Sequence, residues 1–232
     1  MIRLIKAKDR YHHQTDWLST YWHFSFDHYW DPKNMGFGPL RVFNDDVVQP
    51  STGFPPHGHR DMEIITYVLA GELEHEDNQG HRGRIHAGEV QVMSAGTGIV
   101  HAERNPSKEE PLHLLQIWIM PRTSGLPPRW EQRKLSRADR RGRPLAVVSG
   151  DGAGESLRID QDATIHVAAL EREQELSHSL PQGRRAYIFA IEGALLLNGL
   201  DLAGGDEARV TDEQDLAIAA KEPSELIFLD LP

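Results

Sequence analysis

Two histidine-containing segments carry the pattern from which the fold is inferred: GFPPHGHRDME at residues 53–63 and GEVQVMSAGTGIVHAERN at residues 88–105. Each contains two potential metal ligands separated by one residue, namely His57 with His59 and His101 with Glu103. Residues i and i+2 of a β-strand face the same side, so each pair projects together. One such pair is a weak signal in a chain with 13 histidines, but two pairs, each preceded by a Gly-rich turn, are a stronger one. Neighbouring inward-facing strands would bring the four side chains to one point.

Short strand signals surround these segments and are separated by Gly, Pro or Asn/Asp clusters. They include TYWHFSFDHYW (20–30), LRVFNDDVVQ (40–49), EIITYVLAGELEHED (63–77) and LHLLQIWIM (112–120). This succession of short strands predicts an all-β protein built as an antiparallel barrel or sandwich.

The chain is predicted to form two domains, residues 1–130 and 131–232. Residues 121–144 begin rich in Pro and Gly, become strongly basic and lack strand alternation. They are interpreted as the interdomain connection, which could include a short helical turn. Beyond it, YIFAIEGALLLNG (187–199) repeats the outline of YVLAGELEHED (67–77), which indicates an internal duplication of one barrel.

The duplicated half lacks the ligand pairs. When the turn glycines of the two halves are aligned, the four ligand positions are occupied by Ser179, Pro181, Ile218 and Ala220. None of these side chains can replace an imidazole–carboxylate set. The second domain is therefore predicted to be metal-free and structural.

Composition excludes several classes of function. The chain has 232 residues, with 25 Lys and Arg against 35 Asp and Glu, and this acidic balance argues against a general nucleic-acid binder. It has no cysteine, so a metal must be held by nitrogen and oxygen ligands. No apolar run approaches membrane-spanning length and the first residues do not resemble a signal peptide, so a cytoplasmic protein is expected.

Three imidazoles and one carboxylate suit iron, manganese, nickel, copper or zinc. Four protein ligands would leave two positions of an octahedral ion for water, O2 or substrate, which is a catalytic rather than a closed arrangement. The alternative is a set of buried, hydrogen-bonded polar residues without a metal. Burying four convergent polar groups without an ion would be costly, so a metal site is favoured.

The same segments resemble the two motifs of the cupin superfamily, and in their particular form those of the pirin family. FPPHGHRDMEIITYVLAG and MSAGTGIVHAE are close to the pirin pattern, as are WHFSFDHYWDP, MGFGPLRVFNDD and LHLLQIWI. The resemblance covers most of residues 10–130 and extends more faintly to the end. It is strongest to short bacterial pirin-like proteins related to quercetin 2,3-dioxygenase.

The resemblance implies a bicupin fold with one mononuclear divalent metal, for which Fe(II) is preferred, although Mn, Ni, Cu, Co and Zn are possible. It implies that His57, His59, His101 and Glu103 are the metal ligands. Many cupins take a carboxylate from the position of Glu63, a residue that pirins do not usually use as a ligand. Glu63 can therefore support a ligand histidine, which is preferred, serve as a spare ligand, or be structural.

By resemblance, the expected activity is dioxygenase opening of a flavonol such as quercetin, with O2 as co-substrate and Glu103 as the base. The native substrate could be another small enol or phenol. The alternative is a non-enzymatic, redox-sensing regulatory protein that binds a transcription factor or metabolic enzyme, with the basic residues 129–143 as partner surface. Sugar-phosphate isomerase chemistry is less favoured because no Lys/Arg cluster accompanies the ligand strands. Two barrels in one chain are expected to form a monomer.

The remaining polar and aromatic candidates receive simpler interpretations. Surface positions are predicted for His12, His13, His75, His81 and His86. His113 and Gln116 fall on opposite faces of one strand, and the sequence does not say which face looks inward. Core packing is predicted for Trp22, Phe24 and Phe26, and no function is assigned to His166 and His178.

Overall fold

The computed structural model describes residues 1–232, and its regular structure consists almost entirely of antiparallel strands. In chain order the strands are β1 (Ile2–Ile5), β2 (Tyr11–Gln14), β3 (Leu18–Trp22), β4 (Leu40–Val48), β5 (Gly53–His59), β6 (Glu63–Ala70), β7 (Glu72–Asp77), β8 (Arg82–His86), β9 (Val90–Ser94), β10 (Ile99–Arg104), β11 (Leu112–Ile119), β12 (Arg129–Arg133), β13 (Leu145–Ser149), β14 (Leu157–Arg158), β15 (Thr164–Leu170), β16 (Glu175–Ser179), β17 (Arg185–Glu192), β18 (Ala194–Leu197), β19 (Leu200–Ala203), β20 (Glu207–Thr211), β21 (Asp215–Ala220) and β22 (Ser224–Leu231). Two single 3-10 turns, Ala7–Asp9 and Ala153–Glu155, complete the assignment. The all-β prediction is confirmed. No helix is long and apolar enough to cross a membrane.

The chain forms two compact units, each assembled from more than one segment. The N-terminal unit comprises Tyr11–Leu135 and Leu157–Gln161, and the C-terminal unit comprises Met1–Arg10, Ser136–Ser156 and Asp162–Pro232. The first ten residues are part of the C-terminal unit because β1 pairs along its whole length with β20, Ile2 opposite Val210 and Ile5 opposite Glu207.

Two antiparallel sheets make up the N-terminal unit. Their strand orders are β12-β9-β6-β11-β4-β3-β2 and β5-β10-β7-β8. The core between them contains β-branched and leucine side chains from both sheets, including Val68 from β6, Leu73 from β7 and Ile85 from β8. Burying these apolar inner faces is the main force that closes the barrel.

Strand β12 lies within the stretch that the sequence predicts to be a connection. Arg129–Arg133 pairs with β9, so the expectation that residues 121–144 lack strand structure is wrong for this part. The reason is that Trp130 supplies an inward-facing aromatic, whereas the charged neighbours conceal the alternation. Residues 137–140 form hydrogen-bonded turns, in which Asp139 N donates to Ser136 O and Arg141 N donates to Ala138 O, but no regular helix.

The C-terminal unit repeats this plan with an apolar interior. One of its sheets has the order β16-β21-β18-β19, and the other contains β1, β20, β17, β22, β15 and β13 in that order. Its register gives a better comparison of the halves than the glycine alignment. Leu216 lies opposite His178 as His101 lies opposite His57, and Ile218 lies opposite Leu197 as Glu103 lies opposite His75.

The glycine alignment of the two halves is therefore shifted. Its physical cause is that the segment from Gly205 to Leu216 is two residues shorter than that from Gly88 to His101. His178, not Ser179, occupies the position of His57. Leu216 and Ile218 are buried in the apolar core, where they occupy the positions of His101 and Glu103.

Candidate metal centre

Strands β5 and β10 place the two sequence motifs side by side. They pair antiparallel, with His57 opposite His101 and His59 opposite Ile99. The register shifts beyond His57, so that Glu103 faces Phe54. Pro55 and Pro56 occupy this bulge, which suits residues that have no backbone N–H to contribute to a ladder.

Three imidazoles converge at the inner side of this ladder. His57 Nε2 lies 3.2 Å from His101 Nε2, and the ring centroids of His57 and His59 are 4.7 Å apart. The three histidines offer nitrogen atoms that all lie within 4.8 Å of one another. The sequence prediction that His57, His59 and His101 share one point agrees with this geometry.

Two of these histidines, His59 and His101, are held in the neutral form. Burial, followed by the neighbouring imidazoles, lowers the pKa of His59 to about 4 and that of His101 to about 3. A neutral imidazole has a free nitrogen lone pair, which is the form that binds a metal ion. The Nδ1 of His57 lies 2.8 Å from the carbonyl oxygen of Pro55 and donates to it, leaving Nε2 free to face the centre.

Glu103 lies deeper in the barrel and is held by three polar side chains. Gln91 Nε2 donates to its Oε1, and Gln116 Nε2 donates to its Oε2 at 2.9 Å. Thr66 Oγ1 lies 3.4 Å from Glu103 Oε1 and 3.2 Å from Gln116 Oε1, and its single proton can be donated to either. Glu103 forms a second cluster of potential ligands with His75 and His101. The protein thus contains two overlapping triads that share His101.

His75 is completely buried, so the prediction of a surface position for it is wrong. Its ring stacks on Trp130, with centroids 5.2 Å apart and planes 11° from parallel. Its Nδ1 lies 3.5 Å from His101 Nδ1 and its Nε2 lies 3.4 Å from Asp77 Oδ2. Asp77 in turn accepts a hydrogen bond from the half-exposed His81. The exposed position predicted for His86 agrees with the structure.

The protons of the hydrogen-bonded series His101, His75 and Asp77 have only one consistent placement if His101 Nε2 binds a metal. His101 Nδ1 then carries a proton and donates to His75 Nδ1, so His75 Nε2 carries the next proton and points at Asp77. A metal-bound imidazole usually has such an acceptor on its other nitrogen. The signal for this role was present in β7, where Leu73, His75 and Asp77 alternate with three glutamates.

Glu63 contacts none of the predicted ligands. Ser94 Oγ donates to its Oε2 and an Arg129 nitrogen lies 4.0 Å away, while burial raises its pKa. The preferred interpretation, support of a ligand histidine, finds no hydrogen bond in this structure. Its contacts are those of a structural residue that joins β6, β9 and β12.

A cavity of about 350 Å³ opens onto the imidazoles. Its aromatic lining consists of Trp17, Trp22, Phe26, Phe54 and Trp118, and polar side chains at its wall include His13, Asn44, Asp46 and Gln116. A mostly apolar cavity with a few convergent polar groups is typical of a small-molecule site. Trp22 and Phe24 are buried as predicted, but Trp22 and Phe26 also form the cavity wall.

Two questions that the sequence left open are answered by β11. Gln116 faces into the barrel, where it binds Glu103, and His113 faces the other side of the sheet, where it contacts Asp45. At the cavity rim His13 is half-buried and stacks on Trp22, with centroids 5.1 Å apart, whereas His12 is exposed as expected.

His166 and His178 meet in the C-terminal unit although their spacing in the sequence gave no sign of it. Their ring centroids are 5.2 Å apart. His178 Nε2 lies 2.9 Å from Asp230, whose carboxylate also binds Arg184. The cluster is a polar network, and its carboxylate is already shared between His178 and Arg184.

The donor set of the N-terminal unit fits a divalent transition metal ion. Three imidazoles present nitrogen atoms to one point, a buried carboxylate lies beside them, and an open cavity reaches the same point. Two of the imidazoles have a partner for their other nitrogen, which fixes the rings before an ion binds.

Comparison with known proteins agrees with this assignment. The pirin family model matches residues 5–119, and the model of the quercetinase C-terminal cupin domain matches residues 146–231. A protein of Escherichia coli K12 named quercetin 2,3-dioxygenase is 44% identical over 232 residues, covering 100% of this chain and 99% of the relative. A pirin-like protein of Caulobacter vibrioides is 43% identical over 92% of each chain.

A solved structure extends the comparison to the metal. The crystal structure of the bacterial pirin YhhW from E. coli in complex with nickel(II) is 44% identical and superposes with a TM-score of 0.95. It covers 100% of this chain and 99% of that protein. The predicted bicupin architecture is thereby confirmed. The chain belongs to the pirin family.

Proposed function

We propose that the protein is a metal-dependent dioxygenase that opens the ring of a flavonol such as quercetin. The observation that carries the proposal is a triad of imidazoles at the end of a cavity lined by five aromatic side chains. The name of the E. coli relative supports the same reaction. Overall, one flavonol and one O2 would give a ring-opened ester and one carbon monoxide, which balances all atoms.

His57, His59 and His101 would hold the ion, with Glu103 as the proposed fourth ligand. A divalent transition metal, which we propose to be Fe(II), would act as a Lewis acid on the flavonol hydroxyl and allow electron transfer to O2. The cavity aromatics would hold the flat rings of the substrate and exclude water. We propose in addition that the C-terminal unit, which contains most of residues 131–232, is metal-free and structural.

Glu103 is the proposed base for the flavonol 3-hydroxyl proton. Its carboxylate is 2% exposed, so a proton transferred to it is shielded from bulk water. The amide groups of Gln91 and Gln116 fix the carboxylate by donating to opposite oxygens. When Glu103 accepts the proton, one of these donated hydrogen bonds weakens, and Thr66 remains as an alternative partner.

The proposal is tested by anaerobic reconstitution with Fe(II), followed by quercetin in air, with loss of flavonol absorbance and release of carbon monoxide as readouts. We expect many turnovers per metal that disappear in His59→Ala and in metal-free protein. One equivalent of bound metal without turnover would contradict the oxygenase and favour the redox-sensing regulatory alternative.

A further inference from the structure

Three polar atoms at the wall of the cavity are buried and have no hydrogen-bond partner. They are Asn44 Oδ1, Asp46 Oδ1 and Trp118 Nε1. All three residues line the cavity that reaches the imidazoles. Buried polar atoms in folded proteins are almost always paired, so three unpaired ones in a single cavity are unusual.

Strand register explains why the three atoms face the same space. Asn44 and Asp46 are two residues apart on β4 and therefore share a face. Asn44 lies opposite Gln116 on β11, and Trp118 is two residues further along that strand. Gln116 faces inward because it binds Glu103, so its neighbours on the same face also point into the barrel.

The inward polar groups divide into two sets. Gln91, Thr66 and Gln116 are satisfied, because they bind Glu103 and one another. Asn44 and Asp46 are equally inaccessible, at 4% and 3% exposure, yet each keeps an oxygen free. The first set fixes the carboxylate, whereas Asn44 Oδ1 and Asp46 Oδ1 in the second set have no hydrogen-bond partner.

We propose that Asn44, Asp46 and Trp118 form a subsite that binds ring hydroxyl groups of a polyphenolic substrate. This inference rests on the proposed function and names the part of the cavity that would distinguish substrates by their ring hydroxyl groups. A phenolic hydroxyl both donates and accepts one hydrogen bond or more. Asn44 Oδ1 can accept from it and Trp118 Nε1 can donate to it.

Asp46 can act as either a hydrogen-bond donor or an acceptor in this subsite. Burial raises the pKa of its carboxyl to about 7, the side chain of Thr20 opposes this rise, and the charges of Asp45 and Glu103 add to the rise more weakly. Near neutral pH the carboxyl is therefore present in both forms, one that donates and one that only accepts. Ligands that bear a carboxylate would be repelled by Glu103 and by ionised Asp46, which favours neutral phenols.

The test compares two ligands and a set of matched variants. Quercetin carries ring hydroxyls, whereas 3-hydroxyflavone keeps only the hydroxyl that the reaction itself uses. Binding of each to the metal-loaded protein is measured anaerobically by calorimetry, so that no turnover occurs. The variants are Asn44→Leu and Asp46→Leu, with Asp46→Asn as the conservative change that restores an acceptor oxygen.

We expect the unchanged protein to bind quercetin at least tenfold more tightly than 3-hydroxyflavone. Each Leu variant should weaken quercetin binding about tenfold and change 3-hydroxyflavone binding less than twofold, since one hydrogen bond to a buried partner is lost. Asp46→Asn should recover most of the affinity. Val47→Leu is the matched control, because Val47 lies on the opposite face of β4, where it pairs with His113, and carries no charge.

Equal binding of the two ligands by the unchanged protein would overturn the subsite, even if no Leu variant folds. Equal weakening of both ligands in the variants would also overturn it, because that result indicates a general change of cavity shape. Discrimination between the ligands without any turnover in air would leave the subsite in place and contradict the dioxygenase. Failure of the two proposals is therefore distinguishable.

Discussion

Replacing His75 with Phe should weaken metal binding although His75 is not one of the four proposed ligands. Phe preserves the aromatic face that stacks on Trp130 and removes both ring nitrogens. His101 Nδ1 then loses its neighbour at 3.5 Å, and the ring is no longer fixed in the form that presents Nε2. Asp77 retains His81 and two backbone N–H groups, so the hairpin beyond β7 should stay folded.

Loss of such a supporting partner typically lowers metal affinity 10- to 100-fold, which is about 1.4–2.8 kcal/mol. We expect the lower half of this range because the nitrogen–nitrogen distance of 3.5 Å is long for a hydrogen bond. The measurement is equilibrium competition for Ni(II) against a chromophoric chelator, with circular dichroism as the check of folding. His75→Gln should recover part of the affinity because its amide can accept from His101.

His86→Phe is the matched control, since His86 is an exposed histidine on the neighbouring strand of the same hairpin. An unchanged nickel affinity in correctly folded His75→Phe would refute the reasoning. A loss of the same size in His86→Phe would do so as well, because it would trace the effect to the hairpin rather than to the contact with His101.

Two further predictions concern stability. The pKa of His59 is about 4 in the folded protein against an ordinary value of 6.5, so the unfolded chain binds more protons between these values. The free energy of unfolding of the metal-free protein should therefore fall as the pH is lowered from 6.5 to 4. Urea titrations across this pH range should show a shallower fall in His59→Gln. An identical pH dependence in the variant would contradict the lowered pKa of His59. In the other unit, Leu216→Ala should cost about 2–5 kcal/mol because Leu216 is fully buried. The stoichiometry of bound nickel should not change in this variant. A loss of nickel would show that the C-terminal unit contributes to metal binding.

The ligand histidines could be predicted from the sequence because a strand converts spacing directly into direction. His57 and His59 must share a face, and the turn before each motif indicated where its strand begins. No similar rule connects residues on different strands. That His75 faces Glu103, or that Asn44 faces Gln116, depends on register, which is set by turns and bulges far from these residues.

The comparison of the two halves shows the same limit. The glycine alignment found apolar residues at the positions of His101 and Glu103, and the strand ladders also place apolar residues there. It chose different residues because the connections differ in length between the halves. Equivalent strand positions are therefore at different distances in sequence from the turn glycines. His178 was overlooked as the counterpart of His57 for this reason, and its neighbour His166 comes from a distant strand.

The pairing of β1 with β20 has a consequence for the order in which the protein can be completed on the ribosome. Ile2 leaves the ribosome about two hundred residues before its partner Val210. At about 5–20 residues per second, this first strand waits roughly 10–40 s for the edge that it covers. During that time the N-terminal unit, whose main segment ends at Leu135, can already fold and bind its metal ion. A fusion partner joined ahead of residue 1 would therefore hinder the pairing of β1 with β20 and leave metal binding in the N-terminal unit unchanged.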